Sequence, residues 1–186
     1  MTKLTNTLLG SLAIAGTLLS GCASNKVAPL EASSTPIELE RFMGDWYVVG
    51  SIPVTIPGFS EEGAHNGVET YELTDDGTIL TTYTFRKGSF DGKQKTFKPK
   101  GWVYNEETNT EWRMQFVWPF KAAYLVAWVD EDYQQTIIGV PNRKYVWLMA
   151  RDWDISDEDY AALVQMAADM GHDIERLQRV PHRWPE

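Results

Sequence analysis

TEWRMQFVWPFKAAYLVAWV, residues Thr110 to Val129, decides the fold of this chain. In its first half Trp112, Met114, Phe116 and Trp118 alternate with Arg113, Gln115 and Val117. Period two places the aromatic set on one face of a strand, where a helix would scatter it. In the second half Tyr124, Val126 and Trp128 oppose Ala123, Leu125, Ala127 and Val129, so both faces are apolar and the inward one stays open. Similar runs lie on either side. The pattern predicts strands at 45–52, 67–73, 77–86, 95–104, 110–118, 121–129, 134–140 and 144–151. Asp75-Asp76-Gly77 and Pro141-Asn142-Arg143 carry turn chemistry between them. Eight short strands on short links indicate an all-β antiparallel barrel or sandwich, not βαβ units.

One segment breaks that rhythm. Ser156 is a good N-cap, Asp157, Glu158 and Asp159 load the first turn with acid, and Ser156 with Asp159 forms a capping-box pattern. Tyr160, Leu163, Val164 and Ala167 make one apolar stripe, and Gly171 supplies the stop. This predicts a C-terminal α-helix packed outside the sheet, followed by a short final strand over 174–180.

The N-terminus reads as an address. Lys3 precedes an uncharged apolar run, Leu8 to Leu19, too short to span a bilayer but suited to the core of a secretory signal. Leu19-Ser20-Gly21-Cys22 then resembles a bacterial lipobox, in which the cysteine is acylated and becomes the mature N-terminus. Cys22 is the single cysteine, so none remains for a disulfide, a metal site or a nucleophile. Residues 1–21 are therefore expected to be a lipoprotein signal, 22–36 a lipidated flexible tether, and 37–186 one barrel domain. Ala23 stands where lipoproteins kept at the inner membrane usually carry Asp, so the expected location is the bacterial outer membrane. The net charge is −9, and the leader holds one lysine and no acid, which argues against a nucleic-acid partner. Eight Trp, eight Tyr and seven Phe all follow the leader, enough to fill a core or line a pocket.

Gly44-Asp45-Trp46-Tyr47-Val48-Val49 resembles the first-strand G-x-W-Y motif of the lipocalin family. Asp130-Glu131-Asp132-Tyr133 resembles its second signature, and Tyr145–Arg151 with Ile155-Ser156-Asp157 its third. All three fall in order, and with the lipobox the chain is most similar to the apolipoprotein D-like, bacterial outer-membrane branch. The resemblance implies an eight-stranded up-and-down barrel. Such closure removes sheet edges and leaves room for one small ligand. The first and eighth strands then meet with Trp46 and Arg151 at one end, where a guanidinium over an indole would close the barrel. The resemblance implies the same structural pair. Period two from those residues sends in Val48, Gly50, Tyr145, Trp147 and Met149, and the fifth strand adds Trp112, Met114, Phe116 and Trp118. For the sixth strand, the Tyr124–Val126–Trp128 face is taken as inward, because bacterial relatives line their lipid cavity with a tyrosine and a tryptophan at matching places. The expected ligand-binding residues are thus Val48, Trp112, Met114, Phe116, Tyr124, Val126, Trp147 and Met149.

Catalytic chemistry finds no foothold here. His65, His172 and His182 are spread without metal-ligand spacing, and there is no G-x-S-x-G elbow or phosphate loop. Neither a cofactor nor a metal is expected. The resemblance implies a membrane-anchored carrier or scavenger of a fatty acid or lysophospholipid. An enzyme acting on a lipid or pigment, and a structural lipoprotein with a filled barrel, are the alternatives; a homodimer is left open. Charge separates the two barrel ends. Turns at the Trp46–Arg151 end hold Asp75, Asp76, Glu106, Glu107 and Asp130 to Asp132. The opposite turns hold Arg86, Lys87, Lys93, Lys121, Arg143 and Lys144, with Lys95, Lys98 and Lys100 down the fourth strand. Glu61 and Glu62, in the long first loop, run against that pattern.

Overall fold

A computed structural model describes residues 28–56 and 58–185; the leader and Cys22 lie outside them. Twelve strands follow a short α1 (Leu39–Phe42): β1 Gly44–Ile52, β2 Thr55–Ile56, β3 Phe59–Ser60, β4 Ala64–Leu73, β5 Thr78–Lys87, β6 Gln94–Phe97, β7 Lys100–Val103, β8 Glu111–Val117, β9 Phe120–Val129, β10 Gln135–Gly139, β11 Val146–Ala150 and β12 Gln178–Arg179. Helix α2 (Asp157–Asp169) lies between β11 and β12. Antiparallel pairing runs β1–β4–β5–β7–β8–β9–β10–β11, and β11 returns to β1. The result is a closed eight-strand barrel, in which β6 and β7 share the fourth position. The expected single strand over 95–104 is split at Lys98-Pro99, because a proline has no N–H for the ladder.

Four register shifts bend the walls. They fall at Val48/Gly50 in β1, His65/Val68 in β4, Met114/Val117 in β8 and Ile137/Ile138 opposite β9. Each inserts a residue, so the alternation reverses beyond it. Gly50 therefore faces outward under the Tyr160 ring instead of inward. Trp128 packs outside with the α2 face. Phe116 and Trp118, expected inside, are 55% and 81% exposed, past the shift and beyond the barrel rim.

Two cores flank the sheet. The inner one gathers Trp46, Val48, Tyr71, Trp112, Met114, Tyr124, Val126, Trp147 and Met149. The outer one sets Leu163 and Ala167 of α2 on Ile52, Ile137, Val146 and Leu148. Ser156 caps α2 as expected, its Oγ accepting from the Asp159 N–H at 3.0 Å.

Both chain ends are strapped to the wall. The segment expected to be a flexible tether is docked from residue 28 onward. Leu30 N–H donates to the Pro141 carbonyl, Ser33 N–H to Val126 and Ile37 N–H to Thr108. Leu30 takes the space that a side chain at Gly139 would need. At the other end, the expected strand over 174–180 is a 3₁₀ turn, Ile174–Arg176, followed by the two residues of β12. Beyond Val48 the strands β1 and β4 part, and the C-terminal segment fills the opening. Val180 N–H donates to the Val49 carbonyl, Asn66 N–H to Pro181, and the Val180 side chain joins the inner core.

Candidate functional site

The barrel has a floor and a mouth. At the floor the Arg151 guanidinium lies 3.9 Å over the Trp46 ring. It also donates to the carbonyls of Arg41, Phe42, Met43, Asp45 and Tyr133 at 2.7–3.3 Å. Phe42 of α1 enters as a stopper, 5.0 Å from Trp46 and 5.4 Å from Trp112 between ring centroids. The Trp46 indole N–H closes the turn onto the Phe42 carbonyl at 2.8 Å. This end is sealed.

Aromatic rings climb from the floor in contact. Tyr71, Trp112, Tyr124 and Trp147 follow one another at 5.5–5.9 Å. Val48, Trp112, Met114, Tyr124, Val126, Trp147 and Met149, all expected to line the interior, do face it. Phe116 does not, for the reason given above.

The interior also holds a polar cluster that alternation alone did not single out. Glu69 pairs across β1 with Trp46 and so shares its inward face, as do Tyr71 and, on β5, Tyr83. Tyr71 and Tyr124 hydrogen-bond through their hydroxyls, and both reach the Glu69 carboxyl. Burial, reinforced by the charge of Glu61, pushes the Glu69 pKa up to about 8. Thr81, the cross-strand partner of Tyr71, buries a hydroxyl that has no hydrogen-bond partner in the protein. A carboxylate in a barrel violates the usual inside–outside rule, so a reader of the sequence would turn Val68 inward and Glu69 to solvent.

The mouth is crossed by the loop between β1 and β4. Phe59 packs on Phe97 at 4.1 Å, while the other end of the loop is held by Glu61. The Glu61 carboxyl accepts the Val54 N–H at 2.9 Å and is hydrogen-bonded by Trp147 on β11, the strand paired with β1. At 5% exposure it is an interior group, so it does not weaken the basic rim as its place in the loop suggested. Burial raises its pKa to about 7. Beside the loop, a cleft of ≈ 290 Å³ is lined by Ile56, Phe59, Phe97, Lys87 and Lys95.

All six residues of the expected basic rim stand at this end. Arg86 and Arg143 are engaged: the first donates to the Gly92 carbonyl at 3.1 Å, the second to Met170 and Ala28 at 2.6 and 2.5 Å. Lys87, Lys93, Lys121 and Lys144 are exposed. A wider depression, ≈ 790 Å³, lies outside the barrel between the β10–β11 turn and the end of α2. It opens beside Pro29, where the undescribed residues begin. Among the described residues no three His, Cys, Asp or Glu side chains are grouped to hold a metal ion.

A closed antiparallel barrel with a plugged floor, a covered mouth and an aromatic interior defines a calyx-type binding protein. Residues 37–182 match the lipocalin-like domain, and the chain belongs to that family. It is 31% identical over 157 residues to temperature-induced lipocalin-1 of Arabidopsis thaliana, covering 78% of this chain and 79% of that protein. It is 26% identical over 172 residues to the outer membrane lipoprotein Blc of Vibrio cholerae, covering 89% and 94%. The cockroach allergen Per a 4 superposes with a TM-score of 0.59 at 18% identity, covering 84% and 95%, and shares the fold.

Proposed function

We propose that this protein is an envelope lipid carrier, anchored through Cys22 to the outer membrane, that binds single-chain anionic lipids such as fatty acids or lysophospholipids. The mouth carries the reading. There Lys87 and Lys95 flank apolar Ile56, Phe59 and Phe97, an amphipathic cleft suited to a charged head above an acyl chain. The aromatic and aliphatic interior suits the chain itself. The similarity to Blc lipoproteins supports the location. Mass spectrometry of lipid extracted from the purified protein, followed by titration with fatty acids and lysophospholipids, tests this. Saturable quenching of tryptophan emission is expected from Trp112 and Trp147. A flat titration with all single-chain lipids would favour a filled barrel that serves as a structural part.

A second reading rests on the Glu69–Tyr71–Tyr124 cluster. A buried carboxyl whose pKa is about 8 is protonated at neutral pH and is the kind of group that serves as a general acid. Product formation from a bound lipid or pigment, abolished by Glu69→Gln, would make the protein an enzyme. In the carrier reading Glu69 only hydrogen-bonds and the bound molecule is recovered unchanged.

A further inference from the structure

Seven large apolar side chains are strongly exposed among the described residues: Ile56, Tyr104, Phe116, Val117, Trp118, Phe120 and Ile174. Their distribution is lopsided. Tyr104 follows β7 at the floor end, where Arg113 stacks on it at 3.6 Å. The other six sit at the mouth end. Four of them form the tip of the β8–β9 hairpin, with exposures of 55% for Phe116, 60% for Val117, 81% for Trp118 and 76% for Phe120. Isolated exposed apolar residues need no explanation, but four on one tip, two bulky rings beside a tryptophan, call for a partner.

Two further observations say which partner. The exposed lysines at the mouth are Lys87, Lys93, Lys121 and Lys144, whereas the floor turns carry Asp75, Asp76, Glu106, Glu107 and Asp130 to Asp132. Of the exposed acids at this end, Glu62 and Asp91 lie near the mouth loops and Asp169, Asp173 and Glu175 near the end of α2, and Asp91 lies 3.7 Å from Arg183. In addition, the chain reaches the fold at this same end. Ala28 is held by Arg143 in the β10–β11 turn, six positions after Cys22. Six residues span at most about 20 Å, so a membrane-bound residue 22 keeps the mouth, not the floor, near the surface.

We propose that the β8–β9 tip is a bilayer-docking element. Phe116, Val117, Trp118 and Phe120 enter the boundary between head groups and acyl chains, where aromatic rings are favoured, and Lys87, Lys93 and Lys144 face anionic head groups, while the Lys121 ammonium lies 3.7 Å over the Trp102 ring on the wall. The barrel mouth then lies against the membrane, and a lipid passes between bilayer and calyx without crossing water. The acidic floor faces away.

This goes beyond the carrier reading and is tested without it. Every described core residue lies between Leu30 and Val180, so a chain beginning at Ala23 keeps the whole fold and lacks both acyl anchor and cysteine. The probes are phosphatidylcholine vesicles with and without phosphatidylglycerol, read by co-sedimentation. Binding is expected, stronger with phosphatidylglycerol and weakened by salt. Phe116→Ser and Phe120→Ser should each lower it by about tenfold, the factor that one interfacial ring supplies. Thermal melting should not move, since neither ring is in a core. A polarity-sensitive dye on Trp118→Cys should shift to the blue on vesicles, while the same dye on Tyr104→Cys should not. No vesicle binding, binding indifferent to the two serine variants, or insertion reported from position 104 would each overturn the proposal. So would a dimer that the serine variants dissolve while vesicle binding stays intact, because the tip would then belong to a second copy of the chain.

Discussion

Glu69→Gln removes an ionisable proton from the centre of the barrel and nothing else of size. The folded protein holds the Glu69 proton up to about 8, whereas the unfolded chain releases it near 4.5. Between those values the unfolded state binds fewer protons, so stability falls as pH rises and levels off above the folded pKa. At 1.36 kcal/mol per pH unit the full gap is worth roughly 5 kcal/mol. Part of it is repulsion from Glu61, which relaxes if either group stays neutral, so a loss on the order of 2–5 kcal/mol is expected. The glutamine amide keeps an oxygen for the Tyr71 and Tyr124 hydroxyls. Wild type and variant should therefore be nearly equally stable at about pH 5, with the variant ahead by that amount at about pH 9. Urea unfolding followed by tryptophan emission measures both, and equal slopes show that the same surface is exposed. A difference that does not change with pH would refute the reasoning. So would a variant less stable than wild type at high pH, since ionised Glu69 would then be stabilising.

Three further outcomes follow from other parts of the barrel. Arg151→Ala removes a cation–π contact and five carbonyl hydrogen bonds, and should cost about 3 kcal/mol in the same unfolding assay; a loss below ~1 kcal/mol would mean that Phe42 alone seals the floor. The Glu61 carboxyl, facing Glu69, Tyr83 and Trp147 with no cation among them, should loosen the mouth loop as it ionises through about pH 7. Uptake of a fluorescent fatty acid in stopped flow should then quicken above that pH in wild type and stay level in Glu61→Gln, and parallel profiles for the two would remove Glu61 from the gate. Cys22→Ser should shift the protein from the membrane pellet toward the soluble fraction, with any residue held by the hairpin tip released by salt; an unchanged acylated band on the variant would rule out that anchor.

What was legible in the linear chain was whatever depends on near neighbours. Alternation in TEWRM, the Asp-Asp-Gly turn and the Ser156 cap act within a few residues, so strands, turns and α2 stand close to where the pattern puts them. The Trp46–Arg151 closure was legible too, because an up-and-down barrel brings its first and last strands together by topology. The interior was not legible in the same way. Alternation says that two faces differ but not which one is inside. One inserted residue in β8 turned Phe116 and Trp118 out, and another on β9 sent Trp128 beneath the helix. Glu69 is inside because it lies opposite Trp46 across a ladder, and its proton stays because burial, reinforced by the charge of Glu61, makes the charged form costly despite the hydrogen bonds of Tyr71 and Tyr124. Glu61 reads as a loop acid until the loop folds over the mouth and meets Trp147, 86 positions away. Burial of a charge and the choice of a face are set by strands distant in sequence, so only the closed barrel decides them.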